Sequence, residues 1–73
     1  MTANERLRST LTNSAYTQQQ LAEEVGIDPK TVERWVTKGR VPHRRTAIRT
    51  ARLLGVSASW LWPDLDRERF GSR

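Results

Sequence analysis

The sequence contains no cysteine and a single histidine, His43. Without cysteine the chain has neither disulfide bonds nor thiolate metal ligands, and one histidine offers too little for a zinc or haem site. We therefore expect no metal and no other cofactor. The stability of the fold must come from packing alone.

Long apolar runs are also missing. The apolar residues stand in short groups, far below the run of about 18 that a membrane span requires. The N-terminal segment carries Arg6 and Arg8 with no apolar core region behind them, so it does not resemble a secretory signal. These absences predict a soluble, cytoplasmic protein, and 73 residues have room for one core.

The sequence also lacks recognisable catalytic motifs and the residue patterns of β-strands. No Ser/His/Asp arrangement is evident around His43, no glycine-rich loop is present to hold a phosphate, and no paired carboxylates lie in an apolar setting. No segment alternates apolar and polar residues with a period of two. The sequence predicts an all-α protein that is not an enzyme.

The positive charge that is present is concentrated in one segment. The net charge is +5, and residues 38–52 contain six basic side chains and no acidic one. A patch of one sign on a small domain is typical of a surface that binds a polyanion, because neutralising phosphates releases their counterions. A merely solvated face is the alternative. The six residues are Lys38, Arg40, Arg44, Arg45, Arg49 and Arg52.

Local start and stop signals predict five helices. Thr17 followed by Gln20 indicates a capping box, Gly26 indicates a helix end, and Asp28-Pro29 indicates the next helix start. The predicted helices cover about residues 4–13, 17–25, 29–38, 43–54 and 58–62. They would form a compact four- to five-helix bundle in residues 1–62, with residues 63–73 as a charged tail or truncated linker.

Two apolar groups allow specific expectations about the core. In the fourth helix, the spacing of Ile48, Ala51 and Leu54 predicts that these side chains face inward. Trp60 and Trp62 stand two residues apart and cannot share one helix face, so one should cover the core and the other should be an exposed contact. Alternatively, Trp62 packs against a further domain.

Residues 18–37 carry the pattern of a helix-turn-helix. A small residue marks the helix crossing, a glycine makes the turn, and three apolar residues are expected to bury the inner side of the second helix. Trp35 is expected to lie in this core and not to stack on a ligand. The motif core is Ala22, Gly26, Ile27, Val32 and Trp35.

The sequence resembles the Cro and lambda-repressor-like (XRE-type) helix-turn-helix family. The residues that carry the resemblance are Gln18, Leu21, Ala22, Val25, Gly26, Ile27, Val32 and Trp35. The likeness extends over about residues 4–62. It implies sequence-specific binding of double-stranded DNA by a bacterial or phage transcriptional regulator of the repressor type, located at the nucleoid. The helix at 29–38 would then be the recognition helix, which enters the major groove.

Under this resemblance, the outward face of the recognition helix supplies the base contacts. Arg34 and Lys30 can bind the O6 and N7 atoms of guanine, and Thr37 or Thr31 can meet a thymine methyl group. Glu33 either accepts from a cytosine amino group or pairs with a neighbour such as Lys30 or Thr37, and we favour the pairing. The predicted base contacts are Lys30, Thr31, Glu33, Arg34 and Thr37.

Two regions are predicted to contact phosphates. One is the start of the second helix, whose amides attract an anion, although Thr17 also fits a role as a cap alone. The other follows the recognition helix, where Pro42-His43-Arg44-Arg45 replaces the Ser, Thr or Asp cap that family members often have. The predicted contacts are Thr17, Gln18, Lys38, Arg40, His43, Arg44 and Arg45, whereas Arg49 and Arg52 fit ordinary solvated side chains.

The implied partner is double-stranded DNA with a palindromic or direct-repeat operator. Half-site symmetry requires a homodimer, which forms in solution or only on DNA. The alternative is a protein-interaction or antitoxin-like module on the same scaffold, which would need apolar outward residues on the recognition helix. RNA binding would need exposed aromatic residues there, and none is present.

Overall fold

The computed structural model describes residues 3–65, and five helices with no strand are present in this part of the chain. The predicted all-α class is confirmed. The helices are α1 (Glu5–Thr12), α2 (Gln18–Val25), α3 (Pro29–Lys38), α4 (Arg44–Leu54) and α5 (Ala58–Leu61). Residues 66–73 of the predicted tail lie outside the described residues.

The chain divides into two units, one ending at Arg40 and the other beginning at Val41. The first unit contains α1, α2 and α3, and the second contains α4 and α5. The single domain that the sequence predicts for residues 1–62 stays a prediction.

In the first unit, α1 and α2 both pack against α3. The Asn4 side chain accepts a hydrogen bond from the Leu7 backbone N–H at 3.0 Å and so caps α1. The Asn4 backbone N–H donates to the Val36 carbonyl oxygen at 2.9 Å, which joins the start of α1 to the end of α3. The buried apolar residues of this unit are Leu7, Leu11, Leu21, Ala22, Val25, Val32, Trp35 and Val36.

The predicted capping box at the start of α2 is confirmed. The Gln20 backbone N–H donates to the Thr17 hydroxyl oxygen at 3.1 Å, and the Thr17 backbone N–H donates to Gln20 Oε1 at 3.0 Å. At the other end, Gly26 adopts the left-handed conformation with φ 86°. The Ala22 carbonyl oxygen accepts from the N–H groups of Gly26 and Ile27 at 2.8 and 2.9 Å, which closes the turn before α3.

Substitution of Gly26 by alanine tests the backbone requirement of this turn. A Cβ atom at position 26 would meet no atom within 4 Å, so the only penalty is the left-handed backbone. We expect Gly26→Ala to lower the free energy of unfolding by about 1–2 kcal/mol, and Gly26→Asn to lower it less. Urea unfolding followed by circular dichroism measures both, and an unchanged midpoint for Gly26→Ala would contradict the strain argument.

The start of α3 follows the sequence prediction. The Asp28 carboxylate accepts from the Lys30 backbone N–H at 2.9 Å, and Pro29 occupies the first helical position, where its missing N–H is not needed. α3 buries Val32 and Trp35 together with Val36. These three residues fix which side of α3 points away from the core.

The second unit corrects part of the expected inward face of α4, where Ala51 is buried as predicted. Ile48 is 36% exposed and Leu54 is half-buried, whereas Ala47 and Thr50 are completely buried. The expectation for Ile48 was wrong because a polar residue takes an inward place. The Thr50 hydroxyl donates to the Thr46 carbonyl oxygen at 2.8 Å, so it can be buried without losing its hydrogen bond.

The two tryptophans of the second unit have different environments. Trp62 is 2% exposed and belongs to the core, whereas Trp60 is 44% exposed. The chain itself buries Trp62, which removes the need for a further domain to cover it. Leu65 is also buried, so the core continues past the predicted domain end at residue 62.

Candidate nucleic-acid interface

The outward face of α3 is polar and exposed. Lys30, Arg34 and Thr37 lie opposite the buried residues Val32 and Trp35, as a rotation of about 100° per residue requires. Lys30 and Thr37 are seven positions apart, which places them about 10 Å apart along the helix axis at 1.5 Å per residue. This length corresponds to about three nucleotides at 3.4 Å per step.

Thr31 differs from the other predicted base contacts. It is half-buried, whereas Lys30, Glu33, Arg34 and Thr37 are exposed. Its backbone N–H donates to the Asp28 carbonyl oxygen at 2.9 Å in the first turn. Of the two threonines predicted to meet a thymine methyl group, Thr37 is therefore the more accessible.

The favoured pairing of Glu33 with a neighbouring side chain is not present. The Thr37 hydroxyl donates to the Glu33 backbone carbonyl oxygen at 2.9 Å, not to its carboxylate. Within residues 3–65 the Glu33 carboxylate forms no ion pair. Its oxygens are thus available to accept from an amino group such as that of cytosine.

The start of α2 presents donors at the surface. Thr17 and Gln18 are exposed. The Thr17 hydroxyl oxygen accepts from Gln20, so its own proton is still available to donate to a phosphate oxygen. The amide dipoles of the first turn add a partial positive charge at the same place.

Arg8 is a candidate that the sequence analysis did not identify. It lines a shallow depression of about 190 Å³ together with Thr17 and Gln18. Its Nε lies 3.7 Å from a Glu5 carboxylate oxygen, and both side chains are largely exposed. No signal in the sequence indicates this placement, because it depends on how the end of α1 approaches the start of α2.

The predicted phosphate contacts that follow α3 are exposed. Lys38 lies in the last turn of α3, where a cation interacts favourably with the helix dipole, and Arg40 comes directly after the C-cap Gly39. Both belong to the first unit.

The start of α4 has no cap of its own. His43 occupies the N-cap position without a side-chain hydrogen bond, and the first turn contains no acidic residue. Arg44 and Arg45 stand there instead, both exposed. A cation at this end of a helix is unfavourable by about 0.3–1 kcal/mol, and an anion bound to the free amides would reverse the effect.

Residues 3–65 offer neither a metal site nor a membrane-spanning helix. This range holds no group of three or more histidine, cysteine, aspartate or glutamate side chains placed to bind a metal ion. None of its helices combines the length and the apolar character needed to cross a membrane.

Comparison with protein families gives one match. The family model described as helix-turn-helix matches residues 7–61, well over half of the chain. Comparison with curated proteins and with solved structures gave no match. The family is one of DNA-binding domains and not typically one of enzymes. The chain therefore belongs to the helix-turn-helix family of the XRE type, as the resemblance to Cro and lambda-repressor-like domains predicted.

Proposed function

We propose that the protein binds double-stranded DNA in a sequence-specific manner and acts as a bacterial or phage transcriptional regulator of the repressor type. The observation that carries this proposal is the outward face of α3, where Lys30 and Arg34 are exposed on the side away from the buried residues of the helix. The Arg34 guanidinium can form two parallel hydrogen bonds to one guanine. α3 is then the recognition helix in the major groove.

Phosphate contacts orient α3 in the groove but do not read the sequence. The uncapped start of α4 and the exposed start of α2 both offer amides to an anion, and basic side chains follow α3. The proposed contacts are Thr17, Gln18, Lys38 and Arg40 from the first unit, and His43, Arg44 and Arg45 from the second.

A protein-interaction or antitoxin-like role has less support. Such a module would place apolar side chains on the outward face of α3. The large exposed apolar residues of the described part are Ile48, Leu53 and Trp60, and all three lie outside α3. The polar face of α3 fits DNA better.

The proposed phosphate contact of Arg44 predicts a uniform effect on affinity. Arg44→Ala should weaken binding to an operator and to an unrelated duplex alike, because a phosphate contact carries no base information. It should also reduce the slope of log K against log salt concentration by about 0.9. Titrations at several salt concentrations measure both quantities. A loss confined to the operator would contradict the assignment.

Selection of bound sequences from a random duplex pool tests the proposal as a whole. We expect an enriched motif, in the form of an inverted or direct repeat whose half-sites lie about one helical turn apart, bound by two copies of the chain. Salt-sensitive binding to every duplex without enrichment would contradict sequence-specific binding. Absence of any binding would favour the protein-interaction alternative.

A further inference from the structure

We propose that α4 carries a phosphate-binding surface that extends from its first turn to Arg52 and holds the DNA backbone without reading bases. This inference rests on the DNA binding proposed above and extends it to Arg49 and Arg52, which have no role there. We name this surface the α4 arginine face, and it consists of Arg44, Arg45, Arg49 and Arg52 with Ile48 among them.

The geometry of α4 places these side chains together. All five are exposed, and they line one shallow depression of about 510 Å³. The opposite side of the helix buries Ala47, Thr50 and Ala51. The α4 arginine face therefore points away from the core of the second unit along two turns of helix.

Three of the four arginines on this face have no acidic partner among residues 3–65. α4 contains no acidic residue, and within residues 3–65 neither Arg45, Arg49 nor Arg52 forms an ion pair. Arg45 and Arg49 are four apart, and Arg49 and Arg52 are three apart, so both pairs are like-charge neighbours that destabilise a helix. An external polyanion would remove this repulsion.

Phosphodiester groups fit the face better than a protein partner does. Guanidinium groups bind phosphate oxygens through two parallel hydrogen bonds. Arg45 and Arg52 are about 10 Å apart along the helix axis at 1.5 Å per residue, which equals about three base-pair steps of 3.4 Å measured along the DNA axis. Ile48 alone offers an apolar anchor, too little for an acidic peptide that must also bury a hydrophobic side chain.

The test compares the full chain with Arg49→Gln, Arg52→Gln and the double variant, using an operator found by selection. Each single change should lower the slope of log K against log salt by about 0.9, and the double change by about twice that. The preference for the operator over a scrambled duplex should stay unchanged, because no base contact is lost. Arg49→Lys with Arg52→Lys should recover most of the slope.

Arg6→Gln is the matched control, since Arg6 is another exposed helical arginine outside every proposed contact. A double variant whose slope equals that of Arg6→Gln would overturn the proposal. Reduced binding of poly-glutamate by the double variant, with an unchanged slope on DNA, would also overturn it and favour an acidic protein partner. Failure of the proposed function can be distinguished from failure of this inference, because in the first case the unaltered chain would show no preference for the operator.

A second measurement identifies the source of the phosphates. Operator duplex fixed to beads is saturated with protein, and an unrelated labelled duplex is added. If the double variant has a lower salt slope and the unaltered protein captures no labelled duplex, the face binds the backbone of the operator itself. If the unaltered protein captures the labelled duplex and the double variant does not, the face binds a second duplex.

Discussion

Replacement of Trp35 by alanine is expected to lower the free energy of unfolding by about 3–5 kcal/mol. Trp35 is only 3% exposed and lies on the side of α3 that α1 and α2 cover. A chain of 73 residues has a total stability of roughly 4–11 kcal/mol, at about 0.05–0.15 kcal/mol per residue. The substitution thus removes a large part of the total free energy of unfolding, and a considerable fraction of the variant should be unfolded.

Urea unfolding followed by far-ultraviolet circular dichroism measures this effect without relying on tryptophan fluorescence. Trp60→Ala is the control, because Trp60 is 44% exposed and its removal should lower the free energy of unfolding by less than the removal of Trp35 does. Trp35→Phe keeps a large apolar ring and should give a folded variant of intermediate stability. Equal shifts for Trp35→Ala and Trp60→Ala would show that Trp35 is not a core residue.

The second large effect concerns specificity. Arg34→Ala should cost about 1–3 kcal/mol in operator binding and should relax the preference at one base pair, because Arg34 is exposed at the centre of the outward face of α3. The fold and the proposed phosphate contacts should stay intact in this variant. Binding to an unrelated duplex should change far less than binding to the operator.

Selection repeated with the Arg34→Ala variant identifies the base pair concerned. Arg34→Lys is the matched control, since it keeps the charge but loses the planar pair of donors, and should recover only part of the preference. Lys30→Ala should relax a different position, because Lys30 lies one helical turn earlier on the same face. Equal losses on every sequence for Arg34→Ala would contradict the role of α3 as the recognition helix.

The helix boundaries could be predicted because their signals are local. The capping box needs only Thr17 and Gln20, three residues apart, and the start of α3 needs only Asp28 and Pro29. Gly26 supplies the positive φ angle of the turn, which other residues adopt with strain. Each signal depends on hydrogen bonds within about one turn of chain.

Apolar spacing predicted only part of the inward face of α4, because it was correct for Ala51 and wrong for Ile48. Which side of a helix is buried depends on the packing of its neighbours, and Thr50 satisfies its hydroxyl with the backbone of its own helix. The sequence rule that polar residues face outward therefore failed at this position. Ile48 is 36% exposed beside the buried side of the helix.

The candidate interface was predictable to the extent that periodicity determines it. The exposure of Lys30 and Arg34 follows from the positions of Val32 and Trp35 on the same helix. The partner of Glu33 depends on side-chain conformation, and the approach of Arg8 to Thr17 depends on tertiary structure. The spacing of residues along the sequence determines neither of these two features.

The first turn of α4 has no side-chain cap, which implies a trade-off between the stability of the free chain and its affinity for DNA. A residue at position 43 whose side chain capped the helix would stabilise the isolated chain, but it would also occupy amides that a phosphate would otherwise bind. Under the proposed function, a phosphate bound at this end of α4 would take the place of the cap, and ligand binding stabilises the folded state. The chain is then most resistant to unfolding when it is engaged with DNA, and tighter engagement does not require a more stable free form.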